Sequence, residues 1–218
     1  MVKVVCFDVG GVLIKITQNW HEAAAYAKVP ILSDIAPDAH LLDAPFFDAY
    51  QAGSINDEQY IHELAAYLGN IPLESAERVH NHIMMEPYPF VDQIVNQLNE
   101  QGFVTACLSN TNEPHWHDMF HSGRFPANEA LKVRMASHLV GISKPDAGIF
   151  EAFESEVGAT GDEIVFFDDT LVNIEAVRPR GWKAYLIDPN QPTHLQIASG
   201  LAESGINIPF VESEAVKF

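Results

Sequence analysis

The chain has 218 residues, 47% hydrophobic and 19% charged, which is ample for a packed core and too apolar for a disordered chain. Its 30 acidic residues against 12 basic ones give a formal net charge of -18, which excludes a basic surface for nucleic acid or anionic membrane. With two cysteines, no disulfide framework or Cys-based zinc site is supported, and without a long apolar run or a leader the expectation is a soluble cytoplasmic protein.

The first apolar run, VKVVCF (2–7), ends on Asp8 and then meets Val9-Gly10-Gly11. Residues 15–87 hold no convincing strand but four helix-like stretches: 18–29, 41–50, 56–69 and 75–85. In the third, Asn56 and Gln59 resemble a capping box. So long a helical segment exceeds a single crossover, so it reads as an insertion over 16–87, hinged at Lys15–Thr17 and Glu86–Pro89. A helix pattern over 88–102 follows, closing on Gly102, and then the run FVTACL (103–108). VRMAS (133–137), EIVFF (163–167) and KAYLI (183–187) complete five short strands, with helical patterns at 145–158 and 170–181, the last cut short by Pro179. Strand–helix alternation of this kind predicts a doubly wound α/β core formed by 1–15 and 88–218, with near-continuous apolar strands buried on both faces.

Ligands in such sheets bind beyond the carboxyl ends of the strands. Four polar signals stand at these positions: Asp8-Val9-Gly10-Gly11, Ser109-Asn110-Thr111, Lys144 in SKPDAGIF, and Asp168-Asp169. Each alone reads as ordinary cap or turn chemistry. Together they supply what phosphoryl transfer requires. Three carboxylates at one edge repel unless a cation sits among them, and hard oxygen ligands select Mg²⁺. A hydroxyl, backbone N–H groups and a lysine would serve the phosphate oxygens.

FDVGGVLI, LSNTN, SKPDAGIF and FFDDTLVNI, in that order, resemble the four motifs of the haloacid dehalogenase-like superfamily. The likeness covers about residues 2–190 and is nearest to the branch of bacterial α-D-glucose-1-phosphate phosphatase, which shares an Asp-x-Gly first motif and a cap stretch like Gly53–Glu58. It implies a Rossmann-like sheet of strand order 3-2-1-4-5 with a small helical cap after the first strand. It also implies Asp8 as nucleophile and Mg²⁺ ligand, with the Gly10 carbonyl, Asp169 and, through water, Asp168 completing the metal site. Gly11, Ser109, the Asn110 amide and Lys144 would hold the phosphate, and Asn173 would support the Asp168-Asp169 pair. The expected substrate is a small phosphorylated metabolite, a sugar phosphate being favoured; the sequence leaves the oligomeric state open.

Gly10 is the main departure. Most phosphatases of this superfamily carry a second Asp there as general acid, a function typically contributing about 10²–10⁴-fold. Cap histidines His21, His62, His80 and His82 are candidate proton sources, and Gly10 itself is a candidate for positive φ. Two rivals remain: a metal-free 2-haloacid dehalogenase using the same aspartate, and a phosphate-binding protein that has lost turnover. In the group His115, His117 and His121, the i, i+4 pair His117 and His121 has no carboxylate or third ligand arranged with it for a metal, and Trp20, Phe46, Phe47, Tyr50 and Tyr60 read as the glue between cap helices.

Overall fold

The computed structural model describes residues 1–209. Five parallel strands form the core sheet: β1 (Val4–Phe7), β4 (Val104–Ser109), β5 (Val133–Ala136), β6 (Ile164–Asp168) and β7 (Lys183–Leu186), in spatial order β5-β4-β1-β6-β7. Counting core strands alone, this is the 3-2-1-4-5 order expected. Strand order reverses at β1, which pairs Phe7 with Cys107 on one side and with Phe167 on the other.

Both faces of the sheet are covered. Val5, Phe7, Cys107, Val165 and Phe167 pack against α5 (Val91–Glu100) and α11 (Thr193–Glu203). The alternate residues Val4, Cys6, Ala106, Leu108 and Phe166 pack against α9 (Ala147–Val157) and α10 (Leu171–Val177). A strand's side chains alternate, so a strand apolar at every position must be buried twice, and that is why β1 and β6 are buried throughout. Short helices α6 (Glu113–His121), α7 (Pro126–Glu129) and α8 (Ser137–Val140) complete the core.

Between β1 and β4 lies a helical lobe: α1 (Trp20–Ala27), α2 (Phe47–Gln51), α3 (Asp57–Tyr67) and α4 (Leu73–Asn81), with its own buried cluster running from Trp20 to Ile83. Trp20, Phe46, Phe47, Tyr50 and Tyr60 are all buried in it, Tyr50 stacking on Tyr60 with ring centroids 3.7 Å apart. Asn56 caps α3 by accepting the Gln59 N–H, but the Gln59 side chain turns to Glu63, so the reciprocal half of the capping box is missing. The helix expected over 41–50 is a 3-10 turn at Leu41–Asp43 followed by α2, because Pro45 interrupts it.

One expectation is corrected outright. The segment 15–87 does contain strand: β2 (Ile14–Ile16) pairs antiparallel with β3 (Met84–Pro87), making a ribbon where chain enters and leaves the lobe. Lys15 and Glu86 pair across it at 2.8 Å. The lobe also meets the core away from the ribbon. The Ser137 hydroxyl donates to the Gln51 carbonyl at 2.5 Å, and Gly53 lies against the His138 backbone, where a Cβ would come within 2.7 Å of the carbonyl oxygen. Among the described residues, no helix is long and apolar enough to cross a membrane.

Candidate active site

The carboxyl ends of β1, β4 and β6 converge under the helical lobe. Asp8 leaves β1 with its N–H donated to the Phe167 carbonyl at 2.8 Å, which ties it to the end of β6. Lys144, one residue before a cis-proline, is buried between Asp168 Oδ2 at 2.7 Å and Asp8 Oδ1 at 3.0 Å. Asp8 Oδ1 also accepts the Val9 N–H at 2.7 Å. Both contacts fall on Oδ1, so Oδ2 is the oxygen left to react.

Asp168 is fully buried, and both its oxygens are taken. Oδ1 accepts the Thr170 N–H at 2.8 Å, and the Asn173 amide donates to both oxygens at 3.0 Å. A carboxylate so occupied suits a metal ion through water rather than by direct ligation. Asp169 is more open and lies against Gly11. Carboxylate oxygens of Asp8, Asp168 and Asp169 all lie within 4.8 Å of one another, and among the described residues this is the one group of three or more His, Cys, Asp or Glu side chains that converges this way.

The electrostatics follow from crowding. Burial pushes the Asp8 carboxyl up to about 7, with Lys144 opposing and Asp168 and Asp169 adding to the rise. Burial and Asp168 push Asp169 up to about 6. Burial disfavours the Lys144 ammonium, but the charges of Asp168 and Asp8 outweigh it and hold the group above its ordinary value. Three carboxylates thus face one ammonium at the foot of the cleft. A hard divalent cation fits that deficit, and the donors offered are all oxygen.

Most of the expected site residues meet here: Asp8, Gly10, Ser109, Asn110, Lys144 and Asp169 line one cleft of about 350 Å³, with Asp168 beneath it. Two take different parts. The N–H of Gly11 donates to the Ile14 carbonyl at 2.9 Å, closing the turn after β1, and Gly11 does not line the cleft. Its place is steric: at φ +74° a Cβ would stand 2.1 Å from Asp169 Oδ2. The Asn110 side chain is engaged with Lys144, accepting its N–H at 2.8 Å and donating to its carbonyl at 2.9 Å. Any phosphoryl contact from Asn110 therefore falls to its main-chain N–H.

Positive φ belongs to Gly11 and not to Gly10. A Cβ at Gly10 would meet the Ile16 Cδ1 methyl at 3.1 Å, the movable end of a side chain. None of His21, His62, His80 or His82 lines the cleft. His80 is buried, its ring bonded to the Tyr60 hydroxyl and to Asn112. The histidines that do line it are His40 and His115, neither singled out as a proton source from the sequence. His117 and His121 stack on each other on an exposed part of α6. Cys6 and Cys107 are buried and unpaired, and burial pushes the Cys107 thiol up to about 12.

An aspartate-rich crevice at the head of a parallel sheet, under a helical lobe inserted after the first strand, marks a hydrolase class. Residues 2–179 match the family described as haloacid dehalogenase-like hydrolase, and the chain belongs to that family. It is 28% identical over 143 residues to Phosphatase MT3486 of Mycobacterium tuberculosis, spanning 63% of each chain, so it covers less than two thirds of that relative's length. It is 23% identical over 183 residues to the sesquiterpene phosphatase astK of Aspergillus oryzae, across 82% of this chain and 86% of that one. A haloacid dehalogenase-like enzyme of Bacteroides thetaiotaomicron, bt-2542, shares the fold at TM-score 0.76 and 22% identity, over 89% of this chain and 98% of that one. A further crystal structure of that enzyme holds magnesium and inorganic phosphate. The family match over residues 2–179 establishes the family; the α-D-glucose-1-phosphate phosphatase branch stays a resemblance.

Proposed function

We propose that the chain is a Mg²⁺-dependent phosphatase of a small phosphorylated metabolite, with residues 1–15 and 88–218, of which 210–218 lie outside the described residues, as its catalytic core and 16–87 as its cap. The observation that carries this reading is the convergence of Asp8, Asp168 and Asp169 beside the buried Lys144. The phosphatase names of two relatives and the magnesium and phosphate bound by bt-2542 support it.

A magnesium ion held by Asp8, Asp169 and the Gly10 carbonyl would neutralise the crowded carboxylates and polarise the phosphoryl oxygens. Asp8 Oδ2 attacks phosphorus, forming an aspartyl phosphate as the ester P–O bond breaks, and the departing alkoxide takes a proton from solvent. Water then attacks phosphorus, the bond to Asp8 breaks, and inorganic phosphate leaves. Ser109, the Asn110 N–H and Lys144 hold the phosphoryl oxygens meanwhile. Asp168, Thr170 and Asn173 keep Lys144 and the strand end in place.

A metal-free dehalogenase would have no use for three carboxylates within 4.8 Å of one another. The deciding assay measures phosphate release from p-nitrophenyl phosphate and a panel of metabolite esters, with Mg²⁺ and with chelator. Activity lost in chelator and restored by Mg²⁺ is the expected outcome. Chloride release from 2-chloropropionate that persists in chelator would overturn it.

A further inference from the structure

We propose that the substrate is the monoester of a neutral, largely apolar alcohol carrying no second anionic group, an inference that rests on the phosphatase reading. A second phosphate or a carboxylate on the substrate would need its own cation. Residues 16–87 hold only two lysines or arginines, Lys28 and Arg78, against eleven acids, and neither lines the cleft. Arg78 donates instead to the Ala27 carbonyl. Lys144 does line it, but its charge is already shared between Asp8 and Asp168.

The lobe side of the cleft adds a repulsive group in the Asp48 carboxylate. His40 accepts the Leu42 N–H at Nδ1, which leaves that nitrogen occupied by the main chain. An anion placed there would meet the Asp48 charge with no lysine or arginine of the lobe to offset it.

The walls point the same way. Phe47, Met84 and Met119 present buried apolar surface to the cleft, while Leu42 and Val172 line it although about half of each is exposed to solvent. Leu42 comes from the lobe and Val172 from α10, so an apolar ligand body would gain contact from both sides of the opening. Methionines at a ligand wall fit irregular hydrocarbon shapes well. At about 350 Å³ the space is at the small end of ligand cavities, which limits the alcohol to a compact body. The sugar phosphate favoured from the sequence would bring a ring of hydroxyls against these apolar walls.

The test compares kcat/KM for phosphate release across primary alkyl esters: n-butyl and n-hexyl phosphate, glucose 6-phosphate, fructose 1,6-bisphosphate and 3-phosphoglycerate, with p-nitrophenyl phosphate, an activated aryl ester, as the control for turnover only. Each buried methylene should raise kcat/KM about fourfold, and the two esters that carry a second anionic group should fall at least ~10-fold below hexyl phosphate. Leu42→Asp and Val172→Asp, at half-exposed positions that do not threaten folding, should each lower the hexyl to glucose 6-phosphate ratio. Asp48→Arg should raise 3-phosphoglycerate relative to hexyl phosphate. A wild type that prefers glucose 6-phosphate or an ester with a second anionic group, or ratios unmoved by all three substitutions, would overturn the inference while leaving the phosphatase reading intact. No phosphate from any ester, p-nitrophenyl phosphate included, would sink that reading and this inference with it.

Discussion

The lobe and the core meet at a pair of buried histidines whose protonation should set the acid limit of the fold. His80 on α4 and His115 on α6 stack with ring centroids 4.0 Å apart and planes 8° from parallel. Asn112 bonds both rings, the Tyr60 hydroxyl bonds His80, and His115 Nε2 meets the His80 carbonyl at 3.0 Å. Burial lowers His115 from 6.5 to about 4, against the weaker opposing pulls of the His80 carbonyl and Asp118. Burial and the charge of His115 also hold His80 well below its ordinary value.

Below pH 6.5 the unfolded imidazole takes up a proton that the folded one refuses until about 4. The unfolded state therefore binds more protons through that window, and stability falls as pH falls. At 1.36 kcal/mol per pH unit, His115 alone contributes a loss of about 3 kcal/mol between neutral pH and pH 4. Urea unfolding of wild type and His115→Gln at half-unit steps from pH 7 to 4 measures it, since carboxylates titrating in the same window are common to both. The wild-type curve should be the steeper, the difference reaching about 3 kcal/mol. Parallel curves would refute the reasoning.

Three substitutions probe the turn after β1. Gly11→Ala places a Cβ 2.1 Å from Asp169 Oδ2 at a φ of +74°, so Asp169 must move; stability should drop by about 1–2 kcal/mol and calorimetric Mg²⁺ affinity by roughly tenfold or more, as for a disturbed supporting contact. Gly10→Asp meets only the Ile16 methyl at 3.1 Å, so it should melt within a few degrees of wild type and narrow the rate gap between aryl and alkyl phosphates by supplying an acid; an unfolded variant would contradict the backbone described. Asp8→Asn should keep the fold yet lose turnover, because an amide is a poor nucleophile, and retention of even a tenth of wild-type kcat would exclude a covalent role for Asp8.

How far the sequence could be read depended on whether an element's neighbours are implied by its own pattern. β1, β4 and β6 were legible because strands covered on both faces are apolar at nearly every position. β2 and β3 were not, since IKI is too short for its alternation to stand out, MMEP has none, and the two pair across the 67 residues between them. In the site, Asp8, Ser109 and Asp168 were readable as polar residues closing apolar strands. Lys144 lies on no strand, and only its motif pointed to it; its near-complete burial is a product of the Asn110 clamp, which local sequence does not reveal. His40 and Met119 line the cleft through the docking of the lobe on the core, a relation without a local signature. The two adjacent glycines looked alike in sequence, yet the backbone demands glycine at Gly11, through Asp169, and leaves Gly10 nearly free.

The difference between the glycines shows how the site divides its labour. Beneath the cleft, Asp168 is closed off by Lys144, Thr170 and Asn173, and it acts on the chemistry only through what it holds. Above it, Asp8 and Asp169 keep an oxygen each toward the open space, where substrate and cation would lie. Lys144 belongs to both layers, bonded to a buried carboxylate and to the reacting one. Removing its charge would leave the buried Asp168 carboxyl without its ion-pair partner, a change that typically costs about 3–5 kcal/mol. Loss of activity in a Lys144 variant would therefore mix a lost phosphate contact with a disturbed strand end. Asp8→Asn leaves the Lys144–Asp168 pair in place, and calorimetric Mg²⁺ binding to that variant separates the loss of a metal ligand from the loss of the nucleophile.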